Sequence, residues 1–377
     1  MLLRVPYYYE NFFCQASKCK HSCCVGWEID VDKEKEKYYK SVPGSFGERL
    51  RREMTEDDKF RLKGERCAFL NEENLCDIFI ALGEDALCET CSEYPRFCIR
   101  YGNIMERGLG LSCEEAARLL FLEDVPFSLV EKEVEEPEEE EMPVEEKYQK
   151  NCVGVEQARD YAIRILQDRT KSLEERMVIY LFFAKAVQEC LNYNKPEKIA
   201  SLIETWNPED ANKLEKNCDC LEAFYERVAS YEQFEDVNAE WKETLAVTKA
   251  FIKEHAKNEK EYAGLHKEFR AYYESRIFEW EQILIYFTYR HFMWSIEDSR
   301  FFNRAQYAVS SFLMIRDMDM VRFFLNGKEY TKADRIDVAR IYSTEIEHSE
   351  ENVEMLAEDF DFEEVYSLQN LCEQVLL

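Results

Sequence analysis

The sequence predicts a mainly α protein, in which a small cysteine-rich, metal-anchored N-terminal domain precedes an all-helical C-terminal domain. Three observations carry that expectation. Ten of the fifteen cysteines fall within the first 113 of 377 residues. After residue 148, apolar residues recur at helical spacing almost to the end. Only 11 glycines and 8 prolines punctuate the chain, too few turn formers for a many-stranded sheet. Ten glutamates between Glu131 and Glu146, against one lysine, form a run that cannot bury apolar area and so divides the two halves. The expected organisation is a cysteine-cluster (iron–sulfur) domain over 1–130, an acidic linker over 131–147 and a helical domain over 148–377.

Hydrophobic periodicity is weak in the first third, so short helices around anchored loops are expected there. Lys33–Lys40 reads as one. Thr55–Leu62 reads as a second, with Thr55 as N-cap and Asp58 in its first turn. A third spans Cys113–Phe121, with Ser112 as cap and Glu114 and Glu115 at the positive helix end. Further on, Gln157–Gln167 places Ala158, Tyr161, Ala162, Ile165 and Leu166 on one face. Glu174–Leu191 follows Ser172, and long amphipathic stretches occupy Trp241–His255, Tyr262–Phe292 and Ser299–Ile315. Asp334–Ile346 and Glu351–Asp359 complete the set. The aromatic stripe within Phe269–Trp294 reads as core packing.

The clustered cysteines are Cys14, Cys19, Cys23, Cys24, Cys67, Cys76, Cys88, Cys91, Cys98 and Cys113. The chain shows no apolar leader and no apolar run long enough to span a membrane, so a cytoplasmic protein is expected. Disulfides are rare in that compartment, and thiols at such density point to metal ligation. Zinc knuckles come as paired C-x-x-C, whereas Cys88–Cys91 is the sole such pair here and His21 the sole histidine in this half. An all-thiolate, irregular set points to an iron–sulfur cluster, expected as [4Fe-4S], with zinc as the alternative metal. Adjacent Cys23 and Cys24 point in different directions, which two centres or a multinuclear one would explain. The C-x-x-x-C-x-x-C pattern of radical clusters fails at Gly26.

Several stretches together resemble the flagellin lysine N-methylase family. They are Phe13-Cys14 through Cys19, Cys23-Cys24-Val25-Gly26-Trp27-Glu28-Ile29, Cys67-Ala68-Phe69-Leu70, Leu75-Cys76, Leu82-Gly83-Glu84, Cys91-Ser92-Glu93-Tyr94-Pro95-Arg96 and Leu111-Ser112-Cys113 through Leu120. Glu281-Gln282 through Tyr286-Phe287-Thr288-Tyr289-Arg290 is similar to a later family motif, with Gln282 where Asn is usual. Ile346-Glu347-His348-Ser349 is similar to another, with Thr344 where Arg is usual. The resemblance implies that Cys14, Cys19, Cys23, Cys24, Cys67, Cys76, Cys91 and Cys113 form the metal-binding set, leaving Cys88 and Cys98 as extras. Glu114 follows the last cysteine where the family commonly has proline.

The resemblance also implies methyl transfer from S-adenosylmethionine to lysine side chains of flagellin. The nucleophile is a neutral lysine amine, whose free pKa of about 10.4 means a proton must leave first. Glu281, Glu347 or His348 would serve as base or orient the amine, and Arg290 would grip the donor's carboxylate with two prongs. Glu281 and Arg290 lie nine residues apart and are not neighbours on one helical turn. The glycine-rich turn of a doubly wound methyltransferase is missing, since Gly108-Leu109-Gly110 stands as a lone fragment.

The net charge of −29 repels nucleic-acid phosphates, so no nucleic-acid partner is expected. It suits a lysine-bearing protein substrate. Oligomeric state is not legible. The alternative is a zinc-binding cysteine module joined to a helical protein-binding domain, without enzyme activity. A metal-dependent oxidoreductase ranks last, because no flavin or nicotinamide fingerprint is present.

Overall fold

A computed structural model describes residues 1–26, 29–135, 146–212 and 218–377. Trp27 and Glu28, quoted above as part of a motif, lie outside the described residues. The protein is mainly helical, as expected, but it opens on a sheet that composition did not foretell. Strands β1 (Leu2–Pro6), β2 (Arg96–Tyr101), β3 (Ile104–Leu109) and β4 (Leu129–Glu133) lie in the order β2-β3-β1-β4. β2 and β3 form a hairpin that turns at Gly102, whose φ of +51° favours glycine. β1 runs parallel to β3, with Arg4 opposite Glu106, and antiparallel to β4, with Leu3 opposite Lys132. Short alternations over LLRVP and RFCIRY meet from distant parts of the chain, which explains why so few turn residues suffice.

Two hydrophobic cores organise the described residues. The smaller is built from Ile29, Tyr39, Leu50, Phe60, Phe69 and Ile78 with Cys67 and Cys88. Helices α1 (Lys33–Ser41) and α2 (Gly44–Glu53) cover it. Asp32 caps α1 by accepting the Lys35 N–H, and the Tyr39 hydroxyl donates to Ala86 O at 2.6 Å. The stretch expected as a helix over Thr55–Leu62 is instead a turn and two short strands. Thr55 Oγ1 does accept an N–H, from Lys59 at 3.1 Å, but Asp58 takes φ +57° and reverses the chain into Lys59–Phe60. No apolar face recurs over that stretch to hold a helix.

The larger core joins the sheet, α3 (Glu114–Leu120) and the helices that follow. Of the segment expected as a linker, residues 131–133 belong to β4, Glu146 opens α4 (Glu146–Leu166), and residues 136–145 lie outside the described residues. α5 (Leu173–Asn192) starts from the expected Ser172, which forms a capping box with Glu175. The single stretch expected over Tyr262–Phe292 is two helices. After α6 (Ala239–His255) come α7 (Glu259–Tyr273), a tight turn at Glu274–Arg276, and α8 (Ile277–His291). Apolar residues surround α8 on all sides, so its periodicity could not register the break. α9 (Phe301–Leu325) is buried along nearly all its 25 residues and packs against α5, α6, α8, α10 (Lys332–Glu347) and α11 (Glu350–Phe362).

Burial along α9 includes two carboxylates that are fully satisfied. Asp317 meets Arg227 at 2.7 Å and the Tyr262 hydroxyl at 2.5 Å. Asp319 meets Trp280 Nε1 at 3.0 Å, the Tyr330 hydroxyl at 2.5 Å and Arg335. Each partner sits on a different element, so these charges fix the mutual register of the helices.

Candidate functional site

The end of α8, the end of α10 and the loop from β3 to α3 converge on one buried carboxylate. Glu347 accepts from Arg290 Nε at 2.9 Å, His291 Nε2 at 2.9 Å, the Tyr286 hydroxyl at 2.8 Å and Ser343. Tyr286 also accepts from Arg290 Nη1 at 2.8 Å and from the backbone N–H of Leu111 at 3.2 Å. Helical spacing arranges these groups, since Tyr286 and Arg290, like Ser343 and Glu347, are four residues apart. Gly110 lets the loop approach, because a Cβ there would stand 3.0 Å from Arg290 Nη1. The Arg290 guanidinium also lies 4.8 Å from the centre of the Phe97 ring.

Burial alone would raise the Glu347 carboxyl, but Arg290 and then His291 outweigh it and hold the pKa at about 2. The next residue, His348, lies just past α10, and its Nε2 is 3.0 Å from Ser112 Oγ. Ser112 Oγ in turn accepts from the Tyr94 hydroxyl at 3.1 Å. Burial, reinforced by the positive charge of Arg290, lowers His348 to about 4, so its ring is neutral near pH 7.

Two clefts open onto this chain of groups. The larger, about 500 Å³, runs past Asp30, Glu89, Arg96, Phe97 and Arg290. The smaller, about 310 Å³, lies between the N-terminal loop at His21–Cys23 and the helical segment at Asn238, Arg340 and Thr344. Tyr94, Ser112 and His348 line both.

Of the carboxylates and cations singled out in sequence, the structure brings Arg290, Glu347 and His348 together and sets Glu281 apart. Nine residues along α8 separate Glu281 from Arg290, about 13 Å of helix rise. Glu281 is buried against Arg169 at 2.8 Å and Arg176 at 2.6 Å, a pairing between helices. Two of Arg290's edges are already engaged by Glu347 and Tyr286. Sequence reasoning passed over Tyr94, Ser112, Tyr286, His291, Ser343 and Arg340 as site residues. The i,i+4 spacing toward Arg290 and Glu347 was the available signal for Tyr286 and Ser343.

The thiols fall into two groups, with Cys23 and Cys24 parting at the junction. Cys19 titrates in the field of Cys113 and Cys14, and Cys23 in that of Cys24, Cys14 and Cys113. Glu114 holds this loop over the start of α3, accepting the N–H of His21 at 2.7 Å and of Lys20 at 3.2 Å. Cys24, Cys76 and Cys91 pack with Cys67 and Cys88 on the smaller core. Cys88, set aside in sequence as an extra, is fully buried in that group, whereas Cys98 is exposed on β2.

Cys113, rather than the expected Ser112, is the N-cap of α3, without a side-chain capping hydrogen bond, and burial pushes its thiol up to about 11. Burial likewise raises the Cys76 thiol and pushes Cys67 up to about 12. Cys24 falls to about 7, first through the hydrogen bond from the Cys23 thiol. Sulfur donors at this density are the type a soft metal or iron–sulfur centre takes. As the side chains stand, no group of three or more His, Cys, Asp or Glu among the described residues could hold a metal ion. The expected metal anchoring is therefore not shown by these side-chain positions.

These features define a helical protein whose buried polar centre is roofed by a cysteine-rich head. Residues 159–374, more than half the chain, match the model of the FliB lysine N-methylase C-terminal domain, and the chain belongs to that family. It is 30% identical over 143 residues to the lysine-N-methylase of Salmonella choleraesuis (strain SC-B67), covering 34% of this chain and 35% of the relative. It is 31% identical over 142 residues to the flagellar biosynthetic protein FliU of Salmonella muenchen, covering 34% of this chain and 81% of that protein. The chain therefore spans about a third of the length of the lysine-N-methylase it matches. No solved structure matches it. No helix among the described residues is long and apolar enough to cross a membrane.

Proposed function

We propose that this protein is a lysine N-methyltransferase that moves a methyl group from S-adenosylmethionine to lysine side chains of flagellin and carries an iron–sulfur cluster in its cysteine-rich head. The observation that carries the reading is the buried Tyr286–Arg290–Glu347 centre, beside which a neutral His348 meets Ser112 at the wall shared by two clefts. Family membership and the names of the relatives support it.

The residues divide the work by their acidities. His348 at about 4 lies roughly 6 units below a lysine amine, so taking its proton outright would cost roughly 9 kcal/mol. Glu347 at about 2 is weaker still as a base. His348 therefore orients a neutral amine as a hydrogen-bond partner, and the lysine proton leaves to water. Arg290 beside the wall disfavours the ammonium form of any lysine placed there. Glu347 keeps Arg290 and His291 in position.

The thiols that would hold the cluster are Cys14, Cys19, Cys23 and Cys113 in one group, and Cys24, Cys67, Cys76, Cys88 and Cys91 in the other. When bound, such a group supplies cross-links between loops and a one-electron couple. Zinc would suit the same sulfurs, and iron and sulfide analysis of protein prepared without oxygen separates the two.

The test of the activity is direct. The full chain, purified without oxygen, is incubated with S-adenosylmethionine and flagellin, and lysines are mapped by mass spectrometry. Methylated lysine is expected, at a rate that rises with pH toward the lysine pKa and shows no inflection near pH 4. Iron-loaded protein that leaves every lysine unmodified would overturn the proposal.

A further inference from the structure

The two clefts differ in charge and in what they leave unsatisfied. The larger is walled by Asp30, Asp32, Glu89 and Glu93 against Arg96 and Arg290, so its field is net negative. Asp30 is 73% exposed, at reach of an incoming side chain. The smaller carries Lys20, Arg66 and Arg340 against Glu65 and Glu240, so it is net positive.

Arg340 is the telling residue. It is 4% exposed, it lines the smaller cleft, and its Nε has no hydrogen-bond partner. Its Nη2 is held by Glu240 at 2.7 Å and Asp337 at 3.0 Å, which fixes the guanidinium in place. A buried guanidinium N–H without a partner is costly unless a ligand oxygen completes it. At about 310 Å³ the cleft is within the range of small-molecule sites.

Resting on the methylase reading above, we propose that the methyl donor occupies the smaller cleft, with its carboxylate on Arg340, and that the acceptor lysine enters through the larger, acidic cleft. The two meet at Tyr94, Ser112 and His348, which line both. This moves the donor's carboxylate away from Arg290, where the sequence had placed it. In the transfer the lone pair of the neutral lysine nitrogen forms the new N–C bond. The methyl C–S bond breaks with its electron pair going to sulfur, which leaves as a neutral thioether. The proton lost from the lysine goes to water.

The test uses the full chain purified without oxygen, with S-adenosylmethionine binding measured by calorimetry and flagellin KM measured separately. Arg340→Lys keeps the charge that pairs with Glu240 and Asp337 but removes the Nε donor. It should weaken S-adenosylmethionine binding about tenfold or more and leave flagellin KM within twofold. Thr344→Phe fills the same cleft without touching those ion pairs and should give the same split if Arg340→Lys fails to fold. Asp30→Asn with Glu89→Gln should raise flagellin KM several-fold and leave donor affinity unchanged. The reverse pattern, with donor affinity lost on the acidic side, would overturn the assignment while leaving the methylase reading intact. Wild-type protein that binds no S-adenosylmethionine would overturn the methylase reading itself, and this assignment with it.

Discussion

The two cores are stabilised by different means. The helical core around α9 is large, aromatic-rich and internally complete, with Asp317 and Asp319 each satisfied by several partners. The smaller core has few large apolar residues, and five of its members or immediate neighbours are cysteines. A unit of that size rarely holds itself together by burial alone, and a metal is one of the usual supplements. The contrast sets a thiol-rich head with a modest apolar core against a helical body held by packing and buried charge. The candidate site lies where the two meet, its larger cleft lined by Val31 of the smaller core and by Arg290 and His348 of the helical body.

The largest expected effect breaks that contrast in two. On the proposed reading, in which the thiols hold a metal centre, a chelator should strip hydrogen-exchange protection from residues 29–91 and leave α9 protected. Both regions losing protection together would show that the head is held by its apolar contacts instead.

Next in size is the buried carboxylate. Glu347→Gln leaves Arg290 short of its counter-charge and should cost about 3–5 kcal/mol of stability, measured by denaturant titration. The same group sets an acid limit. Its pKa is depressed to about 2 in the fold, so its contribution is present above the unfolded value near 4.5 and is lost as pH falls from there toward 2. That loss is roughly 3 kcal/mol. His348 and His266, both lowered to about 4 by burial, add to it as pH falls from 6.5 toward 4, because the unfolded chain takes up their protons first. Glu345, raised to about 7 by burial, acts in the opposite sense between pH 7 and 4.5, so the decline of the helical body should be steepest below pH 4.5, and a flat profile between pH 4.5 and 3 would refute this electrostatic account.

A smaller effect sharpens the junction. Gly110→Ala would crowd Arg290 Nη1 and should slow methyl transfer several-fold with little change in unfolding midpoint. The smallest concerns steering. The acidic surface should make transfer to flagellin fall as salt rises, and a rate indifferent to salt would remove long-range attraction from the description.

Much of the helical body was legible because its signals are local. Ser172 with Glu175 announced α5, and the i,i+3,i+4 pattern located most of its neighbours. The sheet was not legible, because β1 pairs with strands about a hundred and more residues away and no turn residue marks such a meeting. Thr55 misled for a related reason, since a capping hydroxyl serves a turn as well as a helix. At the site, the family-like motifs led to Arg290, Glu347 and His348, and the fold alone showed that Tyr286 ties Arg290 to Glu347 and that Ser112 meets His348. Glu281 and Glu347 look alike in sequence. What separates them is which helix ends they face.

That pair of glutamates supplies the most direct test. Both are buried and arginine-paired, so either change to glutamine perturbs stability, yet Glu347 braces Arg290, which lines the larger cleft, and Glu281 braces no residue of either cleft. Methyl transfer to flagellin is measured for Glu347→Gln and Glu281→Gln at a temperature where both remain folded. The account predicts a loss of about a hundredfold or more for Glu347→Gln and near wild-type transfer for Glu281→Gln. Equal losses in the two, or full activity in Glu347→Gln, would contradict it.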